Sequence, residues 1–380
     1  MFPINGILLV AMAILSPAPW AAATVPAGEP IRAGEITSIT GKESTLGQAN
    51  HMGTVLAVEQ INAEGGLLGR PFEVISEDTA SKDGESSTAV RKLISRDHVI
   101  AVLGEIASSR SLEAAPVCQA LKIPMISPSS TNPKVTQVGN YIFRVCYIDP
   151  FQGPVLAKFA LNTLKARRVA ILSSASSAYS VGLAKYFRQA FVAGGGEIVA
   201  DPKYAEGDKD FKAQLTAIRP THPDAIFSPG YYNEGGLILK QARELGITVP
   251  ILGGDSWEAQ ALIDLGGPAA EGAYLCAHFS PEAPSPAGRR FIEAFTRRFP
   301  GAAVGTNSAL AYDAVRVLAD AVTRAGTTDP AALRAAIAAT RDFDGATGRI
   351  TIDPDRNASK PAIILSVHNG HFAYVETVAP

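Results

Sequence analysis

Cysteine is scarce in this chain of 380 residues: Cys118, Cys146 and Cys276 are the full complement, far apart and without a CxxC pair. That removes the spacing a thiolate metal site needs, and an odd number in an exported chain leaves at least one free thiol or an intermolecular bond. Buried free thiols are expected. Histidine is thin as well. His51, His98, His222, His278, His368 and His371 show no ligand spacing on a helix, and 368–371 (HNGH) reads as a hairpin turn. Charge of one sign is missing: 34 Lys and Arg stand against 36 Asp and Glu, a net −2 that withholds the basic face nucleic acid requires. There is no GxSxG elbow, no phosphate loop and no GxGxxG after the first strand. Gly253-Gly254-Asp255 is too short to mean a cofactor. Neither metal nor cofactor is expected, and no enzyme activity.

What is present describes a folded protein. Apolar residues make up 47% and charged residues 18%, outside the disordered range. The length exceeds the size at which single cores usually divide, so two domains are expected. Residues 7–15 (ILLVAMAIL) are too short to span a bilayer, and Ala21-Ala22-Ala23 follow as a small-residue cleavage site. Residues 1–23 therefore read as an export signal, although their n-region has no Lys or Arg; the alternative is a disordered cytoplasmic leader. No cysteine precedes Cys118, so a periplasmic protein without a lipid-anchored N-terminal cysteine is expected.

Apolar runs then alternate with helical spacings. Residues 31–39 form a first strand, and Ser44 and Thr45 open a helix carrying Met52, Val55, Leu56 and Ile61 on one stripe, stopped by Gly65-Gly66. The alternation restarts after Asp149-Pro150 with a helix from Gly153 and runs to about residue 277. Strands alternating with helices of this length imply right-handed crossovers and parallel sheets, an α/β fold with two similar lobes. The tail carries helices at 287–299, 308–324 and 330–339 and short strands at 348–352, 363–367 and 372–375. It is expected to complete the first lobe and then re-enter the second: 24–149 and 278–355 in the first lobe, 150–277 and 356–380 in the second.

Residues 104–133 (GEIASSRSLEAAPVCQALKIPMISPSSTNP) carry the most chemistry. Two apolar runs each empty into a loop rich in hydroxyls: Ser108, Ser109 and Ser111, then Ser127, Ser129, Ser130 and Thr131. As parallel strands they would deliver both loops to one sheet rim, where open α/β sheets bind ligands. A helix N-terminus flanked by hydroxyls suits a carboxylate. Asp255 and Tyr231 follow strands in the same way. Each also has a plain structural reading: Ser108 and Ser109 as N-caps, Thr131-Asn132-Pro133 as a turn, Asp255 as a cap near Trp257, and the tyrosines as ordinary rings.

At these residues the chain resembles the periplasmic branched-chain amino-acid binding proteins, type I substrate-binding proteins of ABC importers. The resemblance rests on 57–66 (AVEQINAEGG), 124–133 (PMISPSSTNP), Phe143-Arg144, Gln152-Gly153-Pro154, 207–211 (GDKDF) and 343–348 (FDGATG), and covers nearly all of the chain after 23. It implies two Rossmann-like lobes joined by three crossovers, closing over an amino acid that a membrane permease receives, with the binding protein a monomer. It further implies that Ser108 and Thr131 hold the ligand carboxylate, with Ser130 beside them. Ser129 offers a backbone carbonyl to the ammonium, Asp255 pairs with that ammonium, and Tyr179 and Tyr231 close from the second lobe. Leu46 stands where an aromatic residue is common near the ligand side chain. Ser180 replaces a common glycine, which unsettles the placement of Tyr179. Arg110, early in its helix and unfavourable for the helix dipole, raises the expectation of a second ligand carboxylate; a solvated side chain or an ion pair with Glu113 is the plain alternative, and Glu105 is a further candidate beside it. A transcriptional regulator of related fold would need an N-terminal helix-turn-helix, which is missing. The competing function is a same-fold sensor or binder of amides, urea, aromatic acids or an acidic amino acid.

Overall fold

A computed structural model describes residues 27–379; the export-signal reading of 1–23 lies outside them. The chain builds two parallel sheets, each flanked by helices. In the first lobe five strands lie in the order Phe72–Asp78, Ile31–Thr37, Val102–Leu103, Met125–Ser127, Ile142–Arg144, all parallel. Parallel strands need covering on both faces. Helices Ser44–Ala63 and Thr306–Ala325 bury one face around Ala33, Leu103, Ile126 and Leu310; helices Glu85–Ser95 and Ser108–Leu121 bury the other around Ile36, Val102 and Met125. The first two helices approach closely at Gly53. A Cβ there would stand 2.0 Å from the carbonyl oxygen of Ser308, so only glycine lets the tail helix dock.

The main sheet of the second lobe has seven strands, beside a short two-stranded pairing of Ser173–Ser174 with Lys203–Tyr204. Five are parallel, in the order Glu197–Ala200, Arg168–Ile171, Ala225–Phe227, Ile251–Gly253, Tyr274–Ala277. The hairpin Ala362–His368 and His371–Val378 then extends that sheet antiparallel to Tyr274–Ala277. Gly370, at positive φ, makes the turn between the two strands, which is the hairpin read at 368–371. The core of this lobe joins Val169, Ile171, Phe187, Phe227 and Leu275, and reaches Leu46 and Ile106 of the first lobe.

Three segments cross between the lobes. One joins Ile142–Arg144 to helix Asp149–Asn162, and a second joins Tyr274–Ala277 to helix Pro286–Arg298. The third follows Ala358–Ser359, which still pairs with Thr351 and Ile352 beside the first lobe. The last crossing thus runs through Lys360, later than the division expected at 355/356. Lys360 is buried there and donates to the carbonyl of Val145 on the first crossover, at 3.2 Å.

Other boundaries shift locally. The helix expected from Gly153 begins at Asp149, with Pro150 in its first turn, where a missing N–H costs nothing. Helix Ala178–Ala193 is capped by Ser177, which accepts from the N–H of Ser180. All three cysteines are buried and free, as expected. Among the described residues no helix is long and apolar enough to cross a membrane.

Candidate functional site

Both sheet rims face one cleft, where a cavity of about 330 Å³ including its mouth lies between the lobes. From the first lobe come Leu46, Ile106, Ser108 and Ser129, with Thr306 and Asn307 at the start of the tail helix. From the second come Tyr179, Tyr231, Asp255 and Ser256. Residues more than 200 positions apart in sequence thus share one wall.

The first-lobe side is a helix start. Helix Ser108–Leu121 follows Ala107, which is extended, so its first N–H groups lack partners within the helix and carry the positive end of its dipole. The Ser108 hydroxyl stands there, accepting from the N–H of Asn132 at 3.2 Å. Thr131, one position before Asn132, is buried and does not line the cavity; its hydroxyl makes no well-formed hydrogen bond but lies beside the buried Asp149 carboxyl, whose rise on burial it moderates.

The second-lobe side is built around Asp255, which opens a single 3₁₀ turn, Asp255–Trp257. Its side chain caps no helix, contrary to the plain reading. Instead Oδ1 accepts from the Tyr179 hydroxyl at 2.7 Å and from Gln152 Nε2 at 2.8 Å, while His278 Nε2 lies 3.1 Å from Oδ2. Burial pushes the His278 imidazole below its ordinary pKa, so the ring is neutral and Nε2–H donates. Tyr147 stacks on that ring, with centroids 3.6 Å apart. A carboxylate has about four acceptor positions; three are filled, leaving one to face the cavity.

The tyrosines sit as a pair. Their ring centroids are 5.5 Å apart, tilted by 43°, an arrangement aromatic quadrupoles favour. Tyr179 lies in the first turn of its helix, and Ser180 secures that turn: it accepts from the N–H of Ser174 at 2.9 Å and donates to the carbonyl of Pro229, just before Tyr231. The serine that replaces glycine therefore holds Tyr179 in place. Gly254 makes room for it, since a Cβ would meet the tyrosine oxygen at 2.1 Å.

Several expected residues point elsewhere. The Ser130 hydroxyl turns inward, 2.7 Å from that of Ser111 and 3.0 Å from the carbonyl of Glu105; it ties two loops together and is absent from the cavity wall. Glu105 is fully buried and accepts from Thr79 at 2.7 Å and from the N–H groups of Ile106 and Ala107 at 3.0 and 3.1 Å. Arg110 is neither solvated nor paired with Glu113, which accepts instead from the N–H of Gly84. Its Nη2 lies 3.0 and 2.9 Å from the two Glu43 oxygens and 2.8 Å from the carbonyl of Ser81. Burial raises the Glu43 carboxyl to about 7, against the pull of Arg110. The arginine is spent on the protein's own carboxylate, so the expectation of a second ligand carboxylate at Arg110, or of Glu105 acting in its place, loses its motive.

Arg110 belongs to a set of contacts that span the cleft. Glu206 of the second lobe comes within 3.9 Å of it and within 2.6 Å of Lys42. The Tyr232 hydroxyl donates to the carbonyl of Lys42 at 2.9 Å, and Asn132 Nδ2 to that of Ala178 at 2.7 Å. Ser109 accepts from the N–H of Ala178 at 3.0 Å, and Glu258 from that of Thr306 at 3.1 Å. The lobes are closed on each other.

Ile106, Ser256, Thr306 and Asn307 were not expected in this wall, nor Gln152 and His278 behind Asp255. Gly305-Thr306-Asn307-Ser308 reads as a helix start, so a signal existed for two of them. Nothing in the linear chain aims that helix at the cleft. Gln152 lay within a motif already noted; His278 gave no signal.

A family model described as periplasmic binding protein matches residues 30–371. The chain belongs to the periplasmic binding protein family. This periplasmic binding protein is 31% identical over 324 residues to the Leu/Ile/Val-binding protein BraC3 of Rhizobium johnstonii, covering 84% of this chain and 87% of that one. Among solved structures it is similar to the leucine binding protein LivK of Thermotoga maritima, at 38% identity and a TM-score of 0.89, covering 92% and 99% of the two chains. It is also similar to the branched-chain amino-acid substrate-binding protein LivJ of Streptococcus pneumoniae in complex with isoleucine, at 33% identity, TM-score 0.87, covering 93% and 100%. Among the described residues no cluster of acidic, histidine or cysteine side chains could hold a metal.

Proposed function

We propose that this protein captures an α-amino acid with an apolar side chain in the cleft and delivers it, as a monomer, to the membrane permease of an ABC importer. The single observation that carries this is the polarity of one cavity. Ser108 at a helix start and Ser129 line it on one lobe, and Asp255 with one free acceptor position on the other. A zwitterion needs donors at one end and an acceptor at the other. Ser108 and Thr131 take the carboxylate; Asp255, with the backbone at Ser129, takes the ammonium; Tyr179 and Tyr231 cover the ligand from above.

Magnitudes favour the same division of labour. A charge-assisted hydrogen bond contributes about 1.5–3 kcal/mol, and micromolar binding needs about 8 kcal/mol after association costs. The clamp on the backbone groups therefore supplies most of the affinity. One methylene changes binding by only about 1–3 kcal/mol, so leucine, isoleucine and valine are expected to compete within a narrow range. The relatives named for leucine, isoleucine and valine support the same ligand class. Calorimetric titration with leucine, isoleucine, valine and glutamate tests the reading, alongside mass spectrometry of any ligand released by mild denaturation. Heat from the three branched-chain amino acids and none from glutamate is expected; glutamate alone binding would overturn it.

A further inference from the structure

Beside the clamp cavity lies a second and larger one, of about 820 Å³ including its mouth against about 330 Å³. The two share Leu46, Thr306 and Asn307 as a common wall. Beyond that wall the lining turns apolar: Ala49 and Met52 from the first lobe's opening helix, Ala302 and Val304 from the loop before the tail helix, and Ala259 and Phe372 from the second lobe. Both lobes contribute, so this space forms only when they close.

One charged side chain faces it. Glu258 reaches Thr306 through Oε1, and its Oε2 is buried without a partner. Burial holds this carboxyl up to about 7. When ionised, this carboxyl repels an acidic tail, and the alkyl surfaces around it favour a hydrocarbon one.

We infer that the second cavity is a side-chain annex of the amino-acid site, admitting α-amino acids whose apolar side chains extend past Leu46, well beyond the length of leucine. The inference rests on the zwitterion clamp proposed above, which would fix the backbone groups so that only the side chain can leave through the shared wall. The annex then sets an upper length for the ligand that the clamp cavity alone would not allow.

The test is a homologous series measured by calorimetry: leucine, norleucine, 2-aminooctanoate and 2-aminodecanoate, against the wild type and Ala303→Trp. Ala303 lines only the second cavity and is exposed, so an indole there fills the annex without entering a core. In the wild type the affinity should rise by about fourfold per methylene through the octanoate homologue, the value of burying one CH₂. In Ala303→Trp the gain should vanish while leucine binds as before. Val304→Phe, from the neighbouring position, is expected to do the same. Wild-type affinity that falls once norleucine is exceeded, or a series unaffected by both substitutions, overturns the annex and leaves the clamp standing. Absence of binding by every member, leucine included, overturns the clamp itself.

Discussion

Replacing Thr131 by valine is expected to move stability and affinity in opposite directions. The side chain is fully buried, and its hydroxyl makes no well-formed hydrogen bond although the Asp149 carboxyl lies beside it. An unsatisfied buried hydroxyl costs about 1–3 kcal/mol, and replacing it by an apolar group of the same shape relieves that cost. The unliganded variant should therefore resist denaturant better than the wild type, by about 1 kcal/mol or more on that scale. If the hydroxyl exists to meet the ligand carboxylate, the same substitution removes a charge-assisted bond of about 1.5–3 kcal/mol. That is about a tenfold to hundredfold rise in Kd, alike for every amino acid, since the contact ignores the side chain. Ligand linkage makes the crossover visible. At a leucine concentration about 100 times the wild-type Kd, binding adds about 2.7 kcal/mol of stability, and after hundredfold weakening only about 0.4 kcal/mol. Urea titrations with and without leucine, joined to calorimetry, measure both effects. An unchanged Kd would refute the clamp, and a loss of stability without ligand would show that the hydroxyl is satisfied within the protein.

Asp255→Asn keeps the hydrogen-bonding shape but removes the charge that faces the ammonium. Calorimetry should show leucine weakened by at least tenfold while 4-methylpentanoate, which lacks the amino group, gains or holds; equal losses for both would reject the pairing. Arg110→Met strands the buried Glu43, and breaking a buried pair on one side costs about 3–5 kcal/mol, measured by urea unfolding; a selective loss of glutamate over leucine binding would reinstate Arg110 as a ligand contact. Glu258 has its carboxyl raised from the ordinary 4.5 to about 7 by burial, so between these values the folded state holds the extra proton. Stability contributed by that group is complete below pH 4.5 and is lost as pH rises through about 7. Glu258→Gln should flatten this part of the stability profile and leave the variant the more stable protein at pH 8; an unaltered slope between pH 4.5 and 7 would contradict the burial argument.

The alternation of apolar runs and helical spacings was enough to read two α/β lobes with parallel sheets, because that pattern is local and repeats with a clear period. It was also enough to bring several loop residues to one rim. Ser108, Ser129, Tyr179, Tyr231 and Asp255 do line one cavity, since strands ending in polar residues must present them at a carboxyl-end rim. Within a loop, though, the sequence could not separate hydroxyls that face the cleft from those that brace it. Ser129 and Ser130 are neighbours of the same type, and only backbone direction turns the latter toward Ser111.

Long-range partners decided the rest. Arg110 looked free because Glu43 is 67 positions away and reaches it only when the opening helix docks beside helix Ser108–Leu121. Once that carboxylate is in place, the electrostatic reason for an acidic ligand is gone. His278 gave no sequence signal because its role depends on the second crossover bringing it beneath Asp255. Thr306 and Asn307 enter the site only because glycine at 53 lets the tail helix come close. The residues of 104–133 thus determined by themselves that a hydroxyl-rich rim would exist. Which of them face the cavity, and that Arg110 does not, was decided by side chains distant in sequence that compete for the same charges once the lobes are packed.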